Sequence, residues 1–177
     1  MLAPRLLDMA TFDATKEATF QFAWGGSEYA SPAYGSKITI RNNASNATVY
    51  TGTVTTMNLL HTLPKNSLAN GVCYNAYIEV LDSAGTVISD QSNAIIFYCY
   101  STPTLTFSNV TDGMTVSNSY LNVTLGYAQQ QQDILAQYQI GLYDTTKTLI
   151  STTGIKSTSS YTTSITEVFS GFENDTN

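Results

Sequence analysis

The sequence predicts an all-β chain of two tandem β-sandwiches, and three observations lead to that prediction. Charged residues make up only 11% of the 177 residues, and the 12 Tyr and 7 Phe add to a chain rich in Ser, Thr and Asn, a mix that favours strands over helices. Several short stretches alternate apolar and polar residues with the period of a half-buried strand. The pattern of the first hundred residues then begins again after Pro103.

Residues 68–97 carry the clearest strand pattern in the chain. Asp82–Gly85 supplies turn residues, and Thr86–Phe97 is predicted to return as the second strand of a β-hairpin. The first strand has apolar residues at every second position, which predicts one face in a core. These residues are Val72, Tyr74, Ala76, Ile78 and Val80.

A tyrosine opens this hairpin, and a leucine precedes it in the corner before. Tyr74 follows Leu68 by six positions. This placement fits the tyrosine corner of Greek-key sandwiches, in which the phenol oxygen bonds to upstream backbone. We therefore expect Leu68 and Tyr74 to close the corner that leads into the hairpin.

The preceding strands are short and separated by turn residues, with Gly25–Gly35 as a loop. Together with the hairpin they make seven strands, which is typical of an immunoglobulin-like sandwich. The predicted strands are Ala3–Phe12, Glu17–Trp24, Lys37–Arg41, Ala47–Thr55 and Met57–Leu63. The predicted structural core consists of Phe20, Phe22, Trp24, Ile38, Ile40, Leu68, Tyr74 and Ile78.

The order of these features resembles the fibronectin type III pattern over residues 3–100. The features are the single tryptophan on the second strand, Trp24, the Leu68–Tyr74 spacing and the final hairpin. The resemblance implies a two-sheet sandwich for residues 1–100.

After the short linker Cys99–Pro103, the second half, residues 101–177, repeats the same scheme. Its loop Ala128–Asp133 contains four glutamines and is predicted to face solvent. The matched stretches are Tyr120–Tyr127 with Glu17–Trp24, Tyr138–Tyr143 with Lys37–Asn42, and Thr148–Thr152 with Val49–Thr53.

The repeat lacks a counterpart of the last hairpin. Phe172 takes the place of Leu68, so the second corner tyrosine would fall just after Asn177. We expect a second sandwich without its last two strands to have an open edge and an uncovered core. Two explanations are compatible with this pattern: the chain is the N-terminal part of a longer protein, or a partner donates the missing strands.

The sequence offers few groups for chemistry. His61 is the only histidine, and no acid, cysteine or serine pattern around it predicts catalysis, so a structural or surface role is expected. No Cys/His spacing fits zinc, and the acidic Glu173–Asp175 is better explained as a turn than as a calcium site. We therefore expect no enzyme activity, no cofactor and no metal. Tyr29, Tyr34 and the surroundings of Trp24 fit either a sugar platform or a protein interface.

The two cysteines are predicted to be free thiols. With a hairpin turn at Asp82–Gly85, Cys73 would face Asn93–Ala94, about five residues from Cys99. A strand rises about 3.3 Å per residue, so that distance is too long for a disulfide. Free thiols are consistent with a reducing compartment.

Charge and hydropathy exclude several partner classes. The formal net charge is −6, and no Lys/Arg cluster occurs, which argues against nucleic-acid binding and against basic attachment to membranes. No apolar stretch approaches the about 20 residues of a membrane span. The N-terminal residues 1–12 do not fit a signal peptide, so synthesis in a cytoplasm is expected.

Three motifs resemble the N-terminal fibronectin III-like repeats of baseplate or tail-fibre proteins of tailed bacteriophages. They are F-x-F-x-W at Phe20–Trp24, K-I-T-I-R-N at Lys37–Asn42 and L-x-N-G-x-x-Y at Leu68–Tyr74. The resemblance implies a non-catalytic virion structural protein whose N-terminal modules anchor it to other tail proteins. It also implies a homo-oligomer of threefold or sixfold symmetry, with host receptors or glycans bound by residues beyond Asn177.

Two other functions remain open at this stage. One is a carbohydrate-binding or adhesive module of a bacterial surface protein, and the other is an accessory domain of a polysaccharide hydrolase. Within the first function, the Thr/Ser-rich strand edges and the strand Ala94–Tyr100 are expected to make the contacts with partners.

Overall fold

The computed structural model describes residues 2–25 and 33–172, and every regular element in these residues is a β-strand. Fourteen strands occur in chain order: β1 Arg5–Leu6, β2 Ala18–Ala23, β3 Gly35–Asn42, β4 Thr48–Val54, β5 Leu60–Leu63, β6 Val72–Leu81, β7 Ile95–Cys99, β8 Thr104–Phe107, β9 Tyr120–Ala128, β10 Gln137–Tyr138, β11 Gly141–Tyr143, β12 Leu149–Thr152, β13 Lys156–Ser157 and β14 Ser164–Ser170.

The chain divides into two compact units, Met1–Ser101 and Thr102–Asn177. The all-β prediction is confirmed. Among the described residues there is no helix of the length and hydropathy needed to cross a membrane.

The first unit is a fibronectin III-like, immunoglobulin-like sandwich of two antiparallel sheets. One sheet has the strand order β1-β2-β5, and the other has the order β4-β3-β6-β7. Strand β6 lies in the middle of the larger sheet and pairs with β3 from Tyr74 to Leu81 and with β7 from Val72 to Ala76. Both predicted strands of the hairpin are therefore joined in one sheet, and the inward side of β6 faces the smaller sheet.

The core of this unit lies between the two sheets. Alternation along β2, β3 and β6 buries Phe20, Phe22, Ile38, Ile40, Tyr74 and Ile78, all with exposures of 3% or less. Trp24 and Leu68 are half-buried and pack against the same cluster. Trp24 is less buried than the two phenylalanines because β2 ends at Ala23, one residue before it.

The tyrosine corner predicted at Tyr74 is present. The phenol oxygen accepts a hydrogen bond from the Ala69 amide at 3.0 Å and donates one to the Ala69 carbonyl at 3.3 Å. The next residue, Asn70, accepts from the Ala14 amide and donates to the Asp13 carboxylate, each at 2.8 Å. The corner therefore fixes the entry into β6 and also the loop that precedes β2.

The predicted first strand, Ala3–Phe12, is wrong in its extent. Only Arg5 and Leu6 pair with β2, and Phe12 instead forms a parallel bridge with Cys99 in the other sheet. The segment passes from the edge of one sheet to the edge of the other, so it cannot form one continuous ladder.

The return strand of the hairpin is also shorter than the predicted Thr86–Phe97. Between the turn and β7, the amides of Val80 and Ile78 donate to the hydroxyls of Ser89 and Ser92, each at 2.9 Å. Serine side chains thus replace backbone acceptors along this part of β6. The strand pairing resumes only at Ile95.

These serine contacts change the hairpin register, and the predicted position of Cys73 is wrong. A continuous ladder from the Leu81–Val87 bridge would place Ile96 opposite Val72, but Cys99 lies there. Cys73 lies opposite Tyr98 rather than opposite Asn93–Ala94. Both thiols are nevertheless free, as predicted. The reason is different: opposite residues share a face, so the two cysteines point to opposite faces of the sheet.

The second unit has a three-stranded sheet, β14-β9-β8, and two strand pairs, β11-β12 and β10-β13. Its core contains Val123, Leu125, Ile140 and Phe169. The predicted stretch Tyr138–Tyr143 is interrupted between β10 and β11. The Ile140 amide there donates to the Thr153 hydroxyl at 3.0 Å, which substitutes for a backbone acceptor.

The glutamine-rich loop does not face solvent throughout, so that prediction is wrong for one residue. Gln129 is 7% exposed, whereas Gln130 and Gln132 are exposed. The Gln129 side chain accepts from the Asp133 amide at 3.0 Å and donates to Gln131 at 2.7 Å. A primary amide can supply both a donor and an acceptor inside a turn, which explains why it is buried.

We expect Tyr74→Phe to lower the free energy of unfolding of the first unit by about 1–3 kcal/mol, because it leaves the Ala69 amide and carbonyl without their partner. Guanidinium titrations followed by fluorescence of Trp24, the single tryptophan, measure this unit. Tyr34→Phe is the matched control, since Tyr34 is 50% exposed. An unchanged midpoint for Tyr74→Phe would show that the corner does not hold the sandwich together.

Candidate functional site

The side of the four-stranded sheet that faces away from the core is the candidate functional surface of the first unit. Residues directly opposite in neighbouring strands lie on the same side of a sheet, so the pairings define this surface. They bring Thr39 beside Tyr77, Arg41 beside Asn75, Asn75 beside Ile96, and Cys73 beside Tyr98. We call this surface, formed by Thr39, Arg41, Cys73, Asn75, Tyr77, Ile96 and Tyr98, the outer face.

Apolar and aromatic side chains are concentrated at the β7 side of the outer face. Ile96 is 67% exposed. Tyr98 and Tyr100 are half-buried, and their ring centroids are 4.4 Å apart at an interplanar angle of 44°. Tyrosine and exposed aliphatic residues are favoured in protein interfaces because they bury a large area with little loss of side-chain entropy.

The charged residues on this side of the sheet have partners. The Arg41 guanidinium lies over the Tyr77 ring, 5.2 Å from its centroid. The Lys37 ammonium is 3.3 Å from the Glu79 carboxylate. These contacts partly satisfy the charges before any partner binds, so covering the surface costs less desolvation than covering unpaired charges.

The two edges of the sheet lie on either side of the outer face. Strand β4 is one edge and contributes exposed Thr51 and Thr53, and β7 is the other. The Phe12 bridge covers only the Cys99 end of β7. The polar edge strand and the strand Ala94–Tyr100, both predicted to make contacts with partners, therefore flank the same surface.

The single histidine lies in the core and not on this surface. His61 of β5 is opposite Phe20 and is 2% exposed. Within the described part of the chain its Nδ1 has no hydrogen-bond partner. Burial lowers the pKa of His61 below its ordinary value of 6.5, because the positive charge is poorly solvated there. The ring therefore packs as a neutral side chain.

Cys99 is not placed to act as a nucleophile. Its side chain is fully buried, and burial raises the pKa of the Cys99 thiol to about 12, with the negative charge of Asp13 adding to the effect. The reactive thiolate form is therefore suppressed at neutral pH. Cys73 is half-buried on the outer face.

A half-buried acid in the second unit, Glu167, was not identified from the sequence. Glu167 of β14 lies opposite the core residue Val123 and thus points inward. Its carboxylate accepts hydrogen bonds from Tyr138 and from Lys156, each at 2.5 Å. These bonds lower the pKa of Glu167, Lys156 most strongly and then Tyr138. The alternation of Ile165, Glu167 and Phe169 along one strand was the signal that could have located it.

The Glu167 carboxylate therefore joins three strands, β14, β13 and β10, and both of its oxygens are occupied. Across residues 2–25 and 33–172, no group of three or more His, Cys, Asp or Glu side chains is arranged to hold a metal ion. Among the described residues, His61 and Cys99 are packed in the interior of the first unit, and Glu167 joins strands of the second.

The described residues do not test whether Tyr29, Tyr34 and the surroundings of Trp24 form a sugar platform or a protein interface. Trp24 packs against the core cluster, and Tyr34 is 50% exposed. Tyr29 and Glu173–Asp175 lie outside the described residues.

Comparisons with known proteins found fibronectin-type structures, but their similarity to this chain is low. No protein-family model and no curated protein matches the chain. Among solved structures, the fibronectin(III)-like modules of Clostridium thermocellum CbhA share 15% identity over 93% of this chain and 77% of that chain, with a TM-score of 0.39. The chicken CNTN1 FN1–FN3 domains share 10% identity over 97% of this chain and 55% of that chain, with a TM-score of 0.48. The fold assignment therefore rests on the strand pairing and the tyrosine corner.

The position of His61 predicts a pH dependence of stability. Because the folded pKa is below 6.5, the unfolded chain binds this proton more readily, and stability falls as pH decreases through 6.5. The slope from one such group is at most about 1.4 kcal/mol per pH unit. His61→Phe should remove this part of the slope between pH 7.5 and 5.5 in Trp24-detected unfolding. Equal slopes in the two proteins would contradict a neutral, buried His61.

Proposed function

We propose that the chain is a non-catalytic structural module of a tailed-bacteriophage baseplate or tail fibre. In this proposal the first unit anchors the protein to other tail proteins within the virion, after synthesis in the host cytoplasm. The observation that carries the proposal is the outer face, which exposes Ile96 beside the Tyr98–Tyr100 pair.

The composition of the outer face suits a protein partner. A partner would bury Ile96 and the tyrosine rings, which are the residue types that supply most binding energy in interfaces. Arg41 over Tyr77 offers a cation already oriented by a ring. The net charge of −6 and the absence of basic clusters do not favour a nucleic-acid partner.

The phage assignment itself depends on the resemblance of the three sequence motifs. The motif residues Phe20 and Phe22 lie in the core, and Leu68 and Tyr74 lie at the corner. In this proposal they maintain the sandwich, while the outer face and its edges make the contacts. A tail assembly of threefold or sixfold symmetry would repeat each such contact around its axis, so weak contacts add up.

Native mass spectrometry of the assembly that contains this chain, isolated from its natural source, tests the proposal. We expect three or six copies together with other tail proteins. The double variant Ile96→Ser/Tyr98→Ala should reduce incorporation about thirtyfold, since interface aromatic residues contribute about 2 kcal/mol when central. Leu59→Ser is the matched control, because Leu59 is also exposed, at 37%, but directly precedes β5, a strand of the other sheet.

A glycan array with the full chain tests the alternative function, a carbohydrate-binding or adhesive module. The proposed function predicts no sugar binding. Specific sugar binding that is lost in Tyr34→Ala, together with a chain that enters no tail assembly, would replace the proposal by that alternative.

A further inference from the structure

The first strand of the second unit has an uncovered apolar side. Leu105 of β8 lies opposite Tyr127, and Phe107 lies opposite Leu125. Tyr127 and Leu125 are each 5% exposed, so this is the core side of the sheet. Leu105 and Phe107 are nevertheless 59% and 53% exposed. Two large side chains thus lie on the core side of the sheet, and each remains more than half exposed.

The first unit shows what covers the corresponding position there. Leu6 of β1 lies opposite the core residue Phe22, as Phe107 of β8 lies opposite Leu125. Leu6 is only 2% exposed, and β1 contacts β6 across the sandwich. The covering strand of the first unit is therefore β6.

The same strand also fills an edge that is open in the second unit. The hairpins β3–β4 and β11–β12 have the same kind of turn. Asn42 is the last residue of β3, and Asp144 directly follows β11. The side chain of each accepts hydrogen bonds from backbone amides of the turn. Strand β3 pairs with β4 on one side and with β6 on the other. Among the described residues, β11 pairs with β12 alone.

The uncovered side forms an apolar cleft of about 180 Å³. Five of its eight lining residues are apolar, Leu105 and Phe107 among them, and the other three, Gln137, Tyr138 and Gln139, are polar but uncharged. An occupant must therefore present apolar side chains to the cleft. It must also supply backbone groups to the free edge of β11, because unpaired strand edges take up further strands.

We propose that a β-hairpin of a partner protein completes the second unit. One strand of this hairpin pairs with the free edge of β11, and its apolar residues, at every second position, cover Leu105 and Phe107. The chemistry is that of β6, whose inward residues Tyr74, Ala76 and Ile78 carry no charge. The inference rests on the proposed function in one respect, namely that the partner is another protein of the same assembly.

A second copy of the chain fits this surface less well. Pairing two β11 edges would place the two sheets side by side, and Leu105 and Phe107 of each copy would stay uncovered. Packing the two apolar sides together would cover these side chains, but it would leave both β11 edges unpaired. A hairpin meets both requirements at once, as β6 and β7 do in the first unit.

A synthetic peptide of residues 72–99 is a suitable probe, because it contains β6 and β7 and has the required alternation. We expect the peptide, added to the full chain under reducing conditions, to slow amide exchange of Gly141–Tyr143 at least tenfold. The same peptide with Ala76→Asp and Ile78→Asp is the control and should give no protection.

Variants of the full chain locate the site. Leu105→Ser/Phe107→Ser should weaken peptide binding at least tenfold. Val168→Ser should not weaken it, since Val168 is 64% exposed but lies opposite the exposed Asn122, on the side away from the core.

Three outcomes would overturn the proposal: no protection at β11, equal protection by the control peptide, or self-association of the chain that Leu105→Ser/Phe107→Ser abolishes. The glycan and incorporation assays concern the first unit, so they can fail while this peptide binds, and the reverse also holds.

Discussion

The pairing of β6 with both of its neighbours is the interaction on which the first unit depends. Its eight-residue ladder with β3 and five-residue ladder with β7 hold the larger sheet together, and its inward side chains form the layer that covers Leu6 and the phenylalanines of β2. The tyrosine corner fixes where this strand begins, because Tyr74 is bound to Ala69 through both donor and acceptor. In the second unit the described residues contain no strand in this position. The exposed apolar side of β8 and the single partner of β11 both follow from that difference.

Each unit also has a titratable residue on the inward side of a three-stranded sheet, but the two units accommodate its charge differently. His61 lies opposite Phe20, and Glu167 lies opposite Val123, and both point inward. The histidine can be buried as a neutral ring, so it needs no counter-charge. Protonating the glutamate at neutral pH would cost more free energy than deprotonating the histidine. Instead, Lys156 and Tyr138 stabilise the ionised carboxylate. The inward polar residue is therefore compatible with the core in both units, although only one of them requires an ion pair.

Much of the first unit could be predicted from the sequence because its strands alternate clearly. Period-2 alternation located β2, β3 and β6, and the Leu68–Tyr74 spacing located the corner. The hairpin register could not be predicted, since Ser89 and Ser92 bind strand amides through side chains, and such bonds leave no periodic signal. The short β1 could not be predicted either, because a segment shared by two sheets has no single inward face. The outer face followed only from the register, which brings Tyr98 and Ile96 beside β6.

Native-state hydrogen exchange across both units tests the central claim most directly, namely that a strand paired on both sides is what makes a unit stable. We predict that the amides of Tyr74, Asn75 and Ala76, the β6 residues that pair with both β3 and β7, exchange only through global unfolding of the first unit. The amides of β11 should exchange at least a hundredfold faster, through local opening of a strand with one partner. Equal protection of β6 and β11 in the isolated chain would contradict the account, because it would show that the second unit is already complete without an added strand.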